Sequence, residues 1–263
     1  MQASDFAGRT VFVAGGTSGI NLGIAEAFAA AGAKLAVVSR SQERIDAAVR
    51  RLRGFGGEVV GLAADVRNVE AVAAALKTAH DSFGLIDVLV SGAAGNFPST
   101  ALGMSANGFK AVVDIDLLGT FNVLRTAHAH LRKPGALVVN ISAPQALHPI
   151  ALQSHVCAAK AGVDMLTRVL AIEWGHDGIR VNSVVPGPIE DTEGMARLAP
   201  TLEARQAIVQ GVPLGRMGTK QDVANLVLFL ASPRAAYITG AVIPVDGGWS
   251  ANGAAGLAPV LRA

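Results

Sequence analysis

The run Gly15-Gly16-Thr17-Ser18-Gly19-Ile20-Asn21 separates a short β-branched stretch, Thr10–Ala14, from an apolar, alanine-rich segment that starts near Ile20. Glycine permits the positive φ angles of a tight strand-to-helix turn. A helix that begins just after such a turn points its unpaired backbone amides at whatever lies above the strand, and an anion such as a pyrophosphate satisfies them. A turn of this kind also occurs with no ligand at all, so its meaning depends on the rest of the chain.

Beyond this turn the same alternation of strand and helix repeats. Strand-like runs fall at Thr10–Ala14, Lys34–Ser39, Glu58–Leu62, Ile86–Val90, Ala136–Ile141, Ile179–Val184 and Ala241–Val245. Helical spacing fills the intervals at Ile20–Ala31, Ser41–Arg53, Asn68–Phe83, Asn107–Arg132, Leu152–Gly175 and Lys220–Ala231. Repeated βα units build parallel sheets. The expectation is an α/β fold, one Rossmann-type doubly wound domain over residues 1–263, with a seven-stranded parallel sheet and helices on both faces. The stretch Gly187–Pro213 reads as one long irregular insertion, and its place after a strand end suits a substrate lid.

Charge and cysteine content narrow the partners. With 22 basic against 20 acidic residues and no like-charged run, nothing favours nucleic acid or an anionic membrane, so the ligand is expected to be a small molecule. The single cysteine, Cys157, allows neither an internal disulfide nor a cysteine-rich metal site and fits a reducing cytoplasm. Met1 to Thr10 shows no apolar run of a signal peptide, and no stretch is long and apolar enough to span a bilayer. His128, His130, His148 and His176 lack metal-ligand spacing with acidic residues, and no metal is expected.

After the second strand the chain reads Val38-Ser39-Arg40-Ser41, where an NAD-selective site would carry an acid for the ribose 2′-hydroxyl. The Arg40 guanidinium suits a 2′-phosphate, with Thr17, Ser18, Ser39 and Ser41 as uncharged donors around it, and this points to NADP(H). The alternative is a solvated helix-start arginine paired with Glu43.

Further short motifs run nearly the length of the chain: Asp65-Val66, Ser91-Gly92-Ala93-Ala94-Gly95, Lys160, Arg180-Val181-Asn182, Pro186-Gly187, Ile238-Thr239-Gly240 and Val245-Asp246-Gly247-Gly248. With the glycine turn, this set resembles the short-chain dehydrogenase/reductase family. The resemblance implies that Gly15, Thr17, Ser18, Gly19 and Ile20 cradle the cofactor phosphates, with Arg40 and Ser41 at the ribose. It implies that Asp65 and Val66 hold the adenine, that Ala93, Ala94 and Gly95 line the cofactor, and that Lys160 bonds the nicotinamide ribose. Pro186, Gly187 and Ile189 would lie along the nicotinamide. Asn21 stands where the family's loop has a further glycine.

The main branch of that family uses a tyrosine four residues before the lysine, a serine thirteen residues before the tyrosine, and an asparagine in the preceding long helix. Here those positions hold Val156, Ala143 and Asp116. Valine has no proton to give, so ordinary carbonyl reduction is not expected. The chain instead resembles the branch that reduces 2,4-dienoyl-coenzyme A with NADPH, the peroxisomal type above all. It does so through Ala93-Ala94-Gly95-Asn96-Phe97, Asp114-Ile115-Asp116, Gly119-Thr120-Phe121, His155, Ala171-Ile172-Glu173-Trp174-Gly175, Pro186-Gly187-Pro188-Ile189 and Thr192-Glu193-Gly194. Ser91 departs from the branch's asparagine, and Gln145 from the tyrosine of its mitochondrial type.

Conjugate reduction needs donors for an enolate oxygen and a proton delivered to carbon. Asp116 is the expected acid, directly or through an ordered water, with Lys160 its charge partner; otherwise it is a helix residue bonded to nearby backbone. Asn96, Phe97, Gln145 and His155 are the expected substrate contacts, of which His155 faces either the thioester or an adjoining subunit. Three outcomes stay open: reduction of an acyl-CoA thioester, a catalytically silent NADP-binding protein, or an oxidoreductase of another small substrate. The apolar faces of Asn107–Arg132 and Leu152–Gly175 exceed what one sheet covers, and the resemblance implies a homotetramer built on them.

Overall fold

The computed structural model describes residues 5–252; the ends of the expected domain, 1–4 and 253–263, lie outside the described residues. Seven parallel strands form one sheet: β1 (Thr10–Ala14), β2 (Lys34–Ser39), β3 (Val59–Ala63), β4 (Val88–Ser91), β5 (Leu137–Ile141), β6 (Arg180–Pro186) and β7 (Val242–Val245). Their order is β3-β2-β1-β4-β5-β6-β7. Every residue of β1, β4 and β5 is buried, which explains why these strands read as continuous apolar runs: helices cover both faces of the sheet.

On one face α1 (Gly19–Ala30), α2 (Gln42–Arg53) and α9 (Lys220–Ala231) bury Ile24, Phe28, Leu52, Val223 and Val227 against the sheet. On the other, α3 (Val69–Phe83), α5 (Gly119–Ala127) and α6 (Ser154–Trp174) contribute Val72, Leu76, Val123, Leu124 and Leu170. Polar caps set the starts, with Ser41 accepting from Arg44 N, Asn68 from Ala71 N, and Thr219 closing a capping box with Asp222. Because β1 neighbours β4 and the chain winds outward from that pair in both directions, a crevice opens above their carboxyl ends.

Two expectations are corrected. The segment Asn107–Arg132 is no single helix. It comprises α4 (Ala106–Val113), a π turn at Asp114–Leu118, α5, and a 3-10 turn at His128–His130, after which Leu131 is extended. Gly119, at the end of the π turn, lies so close to Val66 that a Cβ would sit 2.5 Å from that side chain. The insertion Gly187–Pro213 is also not irregular: it holds α7 (Glu193–Leu198) and α8 (Leu202–Gln210), started by the Thr192 and Thr201 hydroxyls. Elsewhere the differences are ends; the strand expected from Ile86 begins at Val88, and Ile86 makes only an isolated bridge to Leu131.

Candidate active site

The glycine turn after β1 forms the floor of the crevice. Gly15 has φ +78°, and a Cβ there would lie 3.0 Å from the Ala93 backbone at the end of β4. Gly19 has φ +56° and faces open space, with nothing within 4 Å of where a Cβ would be. The N-cap of α1, Ser18, makes no side-chain cap bond, and no acid stands in the first turn, so the helix start keeps its amides for an anion. Asn21 is tucked under the turn. Its Nδ2 donates to Gly92 O at 2.8 Å and reaches Gly15 O at 3.4 Å, which ties the end of β1 to the end of β4.

At the far side of β1, Arg40 is exposed and lines the crevice with Ser39, Asp65 and Val66. Arg67 clamps Asp65, with Nη2 at 2.6 Å from Oδ2, and that hydrogen bond holds the carboxyl below the ordinary carboxylate range. Ser41 stands outside the lining, because its hydroxyl is spent on capping α2. Arg44, in the first turn of α2, does line it, and its guanidinium pairs with Glu193 of α7 at 3.0 Å.

The chemistry-bearing end lies above β4 and β5. The π turn aims Asp116 into the crevice, where it is 1% exposed; Oδ1 accepts from Gly95 N at 2.7 Å and Oδ2 stands 3.3 Å from Lys160 Nζ. Lys160, on α6, also donates to Ile141 O at 3.0 Å. A buried carboxyl and a buried ammonium thus compensate each other beside open volume. Ala143 and Val156 supply apolar wall next to them. The crevice encloses about 410 Å³.

Residues 14–250 match the family described as enoyl-(acyl carrier protein) reductase. The chain is 46% identical over 242 residues to the peroxisomal 2,4-dienoyl-CoA reductase of Pongo abelii, covering 91% of this chain and 83% of that one. It is 41% identical over 247 residues to the corresponding protein of Saccharomyces cerevisiae, covering 92% and 84%. Among solved structures, a short chain dehydrogenase from Bacillus anthracis superposes with a TM-score of 0.83 at 35% identity, covering 92% of this chain and 96% of that one. The chain belongs to the short-chain dehydrogenase/reductase family.

As a short-chain dehydrogenase/reductase it is an oxidoreductase with a nicotinamide cofactor, and the open start of α1 and the close Gly15–Ala93 approach fit a bound dinucleotide. The structure gathers Gly15, Thr17, Ser18, Gly19, Ile20, Arg40, Asp65, Val66, Ala93, Ala94, Gly95, Asp116 and Lys160 around one crevice. It does not bring Pro186, Gly187 or Ile189 into that lining: Gly187 N continues the pairing with Val245 O, and Ile189 is buried in the core. Asn96 and Gln145 line the crevice; Asn96 Oδ1 is buried without a partner, and Gln145 Nε2 donates to Gln153 Oε1 at 2.7 Å.

His155 faces no adjoining subunit, because it is wholly buried within its own protomer, against Phe97 at 4.7 Å between ring centroids, with both ring nitrogens unbonded. From sequence, Arg44 has no role, Asn21 is only a departure from a loop glycine and Glu193 stands only within Thr192-Glu193-Gly194; the Asn21 contact with Gly92 has no local signal. Among the described residues no group of three His, Cys, Asp or Glu could hold a metal ion, and no helix is long and apolar enough to cross a membrane.

Proposed function

We propose that this short-chain dehydrogenase/reductase reduces a 2,4-dienoyl-CoA-type thioester with NADPH. The carrying observation is the buried Asp116–Lys160 pair at the crevice, in a wall where Ala143 and Val156 offer no hydroxyl. A bound NADPH supplies hydride. Arg40 answers the 2′-phosphate as a forked donor, with Arg44 in reach once it exchanges Glu193 for the ligand. Lys160 holds the ribose hydroxyls and keeps positive charge beside the reacting ring. Hydride arrival at the end of the conjugated system places negative charge on the thioester oxygen, toward which Asn96 and Gln145 present amides. Asp116, ionised against the Lys160 ammonium, orients one water that gives its proton to carbon and takes one back from solvent, and Gly95 N–H holds its other oxygen in place.

Phe97 offers an apolar face to the acyl chain, with His155 buttressing it from behind. The helices α7 and α8 of segment 187–213 act as the lid of the single domain, latched to α2 through Arg44 and Glu193. The assembly is a homotetramer, and a reducing compartment such as the cytoplasm suits its lone Cys157. Purified protein mixed with NADPH and a panel of dienoyl-, enoyl- and oxoacyl-CoA thioesters tests the reading. The dienoyl substrates are expected to oxidise the cofactor fastest. The missing hydroxyls at Ala143 and Val156 favour one competitor, a silent NADP-binding protein, and tight NADPH binding with no oxidation by any thioester would establish it instead.

A further inference from the structure

Helix α6 carries a second acid one turn beyond Lys160, and the reaction above makes no use of it. Asp164 is 2% exposed. Its Oδ1 accepts from Ser183 Oγ of β6 at 2.8 Å, whereas its Oδ2 is buried with no hydrogen bond. Two more buried oxygens nearby lack a partner, Asn140 Oδ1 and Ser142 Oγ; Asn140 pairs with Ser183 across β5 and β6, and Ser142 follows the end of β5 at Ile141. The cluster is otherwise knit together. Ser183 Oγ also lies 3.4 Å from Asn140 O, and Asn140 Nδ2 donates to Thr167 Oγ1 of α6 at 2.8 Å.

The charges around Asp164 are few and already committed. On its own helix, Lys160 is engaged by Asp116 and Ile141 O, and Arg168 is exposed. From β5 the neighbours Asn140 and Ser142 are neutral; from β6 Ser183 is neutral, and Arg180 donates instead to Leu230 O and Ile238 O. An ionised Asp164 would be a buried carboxylate facing two hydroxyls, those of Ser183 and Ser142, with no cation of its own. The Ser142 hydroxyl can serve only one of the two proton-free oxygens, Asp164 Oδ2 and Asn140 Oδ1, and a protonated Asp164 supplies the second donor.

We propose that Asp164 is a positioning residue held as the neutral acid: its O–H binds the unpartnered oxygens of Asn140 or Ser142, fixing β5 where Ile141 O receives Lys160, and its neutrality leaves the ammonium to Asp116 alone. Burial pushes the Asp164 carboxyl above the ordinary carboxylate range, while the Ser142 and Ser183 hydroxyls and the Arg168 and Lys160 charges act the other way. The role differs from that of Asp116, which meets the substrate through its water; Asp164 acts through Lys160.

Infrared spectra of the whole protein at neutral pH, labelled with ¹³C-aspartate, test this directly. A carbonyl stretch of a protonated carboxyl, shifted in D₂O, is expected in the parent and in Asp116→Asn, and is expected to vanish in Asp164→Asn. Asparagine imitates the neutral acid. Asp164→Asn should therefore keep NADPH affinity and turnover within about threefold, and should remove from the pH profile the fall in turnover that ionisation of Asp164 gives the parent as pH rises. A spectrum of the parent without the band would overturn the proposal. So would a roughly hundredfold loss of turnover in Asp164→Asn with NADPH binding intact, since that would show a requirement for the ionised form. Should Asp164→Asn not fold, the bands of the parent and Asp116→Asn decide alone. Only the kinetic arm rests on the dienoyl-CoA reading, so failure of that reading leaves the spectroscopic result standing.

Discussion

Lys160 Nζ lies 3.3 Å from Asp116 Oδ2, and the two side chains are 6% and 1% exposed. The proposed mechanism divides proton delivery and ribose binding between the partners of this ion pair, and variants should separate them. Asp116→Ala is expected to lower turnover of a dienoyl thioester by about a hundredfold or more while NADPH affinity stays nearly unchanged. Lys160→Ala should weaken both. Fluorescence titration of NADPH beside steady-state kinetics distinguishes the two, and full turnover in Asp116→Ala would remove the acid from the mechanism.

Cofactor choice should follow Arg40, the exposed cation at the end of β2. NADPH is expected to bind about tenfold more tightly than NADH, a difference of about 1.4 kcal/mol, and Arg40→Ala should erase most of it. Calorimetric titration with both cofactors measures the gap; equal affinities in the parent would defeat the assignment.

Asn21 fills the space above Gly92, where a Cβ would come within 2.3 Å of its amide oxygen. Asn21→Ala is expected to cost about 1 kcal/mol of stability through the lost bond to Gly92 O, which in a chain of this size lowers the melting temperature by about 2–4 °C. NADPH affinity should fall with it, because the turn loses its tether to β4. An unchanged melting curve would show that the contact contributes nothing.

The outer face of α6 leaves Ile172 77% exposed and Met165 56% exposed, and Leu118 and Phe121 are exposed beside the start of α5. Apolar surface of this kind on α6 and on the adjoining π turn and α5 calls for a second copy of each. Sedimentation at micromolar concentration is expected to show a tetramer, and Ile172→Glu to shift it to smaller species. A parent that sediments as a monomer would end the proposal.

The His130 ring lies tilted 5.2 Å from that of His80, and burial, with the neighbouring His80, lowers its pKa below the ordinary histidine value although Asp81 acts against that. The folded chain therefore binds this proton less readily than the unfolded chain. Its contribution to stability is full above about pH 6.5 and is lost as pH falls toward the depressed folded value. Urea midpoints at about pH 7.5 and about pH 5.5 should differ less in His130→Gln than in the parent, and an identical difference would assign the acid sensitivity to other groups.

Sequence made the frame legible where one physical rule dominated. The bounds of β1, β2 and α9 follow from unbroken apolar runs and from a capping box, and the structure has them at the expected residues. Asp116 and Lys160 were legible as a pair because a carboxyl in an apolar helix needs a partner. The π turn was not, since one added residue barely disturbs the apolar spacing of Asn107–Arg132. Helices α7 and α8 are short and polar, and only the Thr192 and Thr201 caps announced them. His155 could be placed only by packing, because adjacent helix positions point about 100° apart and sequence does not say which one meets Phe97.

The π turn at Asp114–Leu118 makes the position of Asp116 a matter of residue count as much as of residue type. The π turn takes up one residue more than regular winding needs, so removing one residue from these five would restore an α-helix with α4 and α5 still facing as they do, and flatten the bulge that carries Asp116. The carboxyl would then leave Gly95 N–H even with aspartate still in the chain. Shortening the segment is thus a way to detach the acid without altering its chemistry, which no substitution at the same position can achieve.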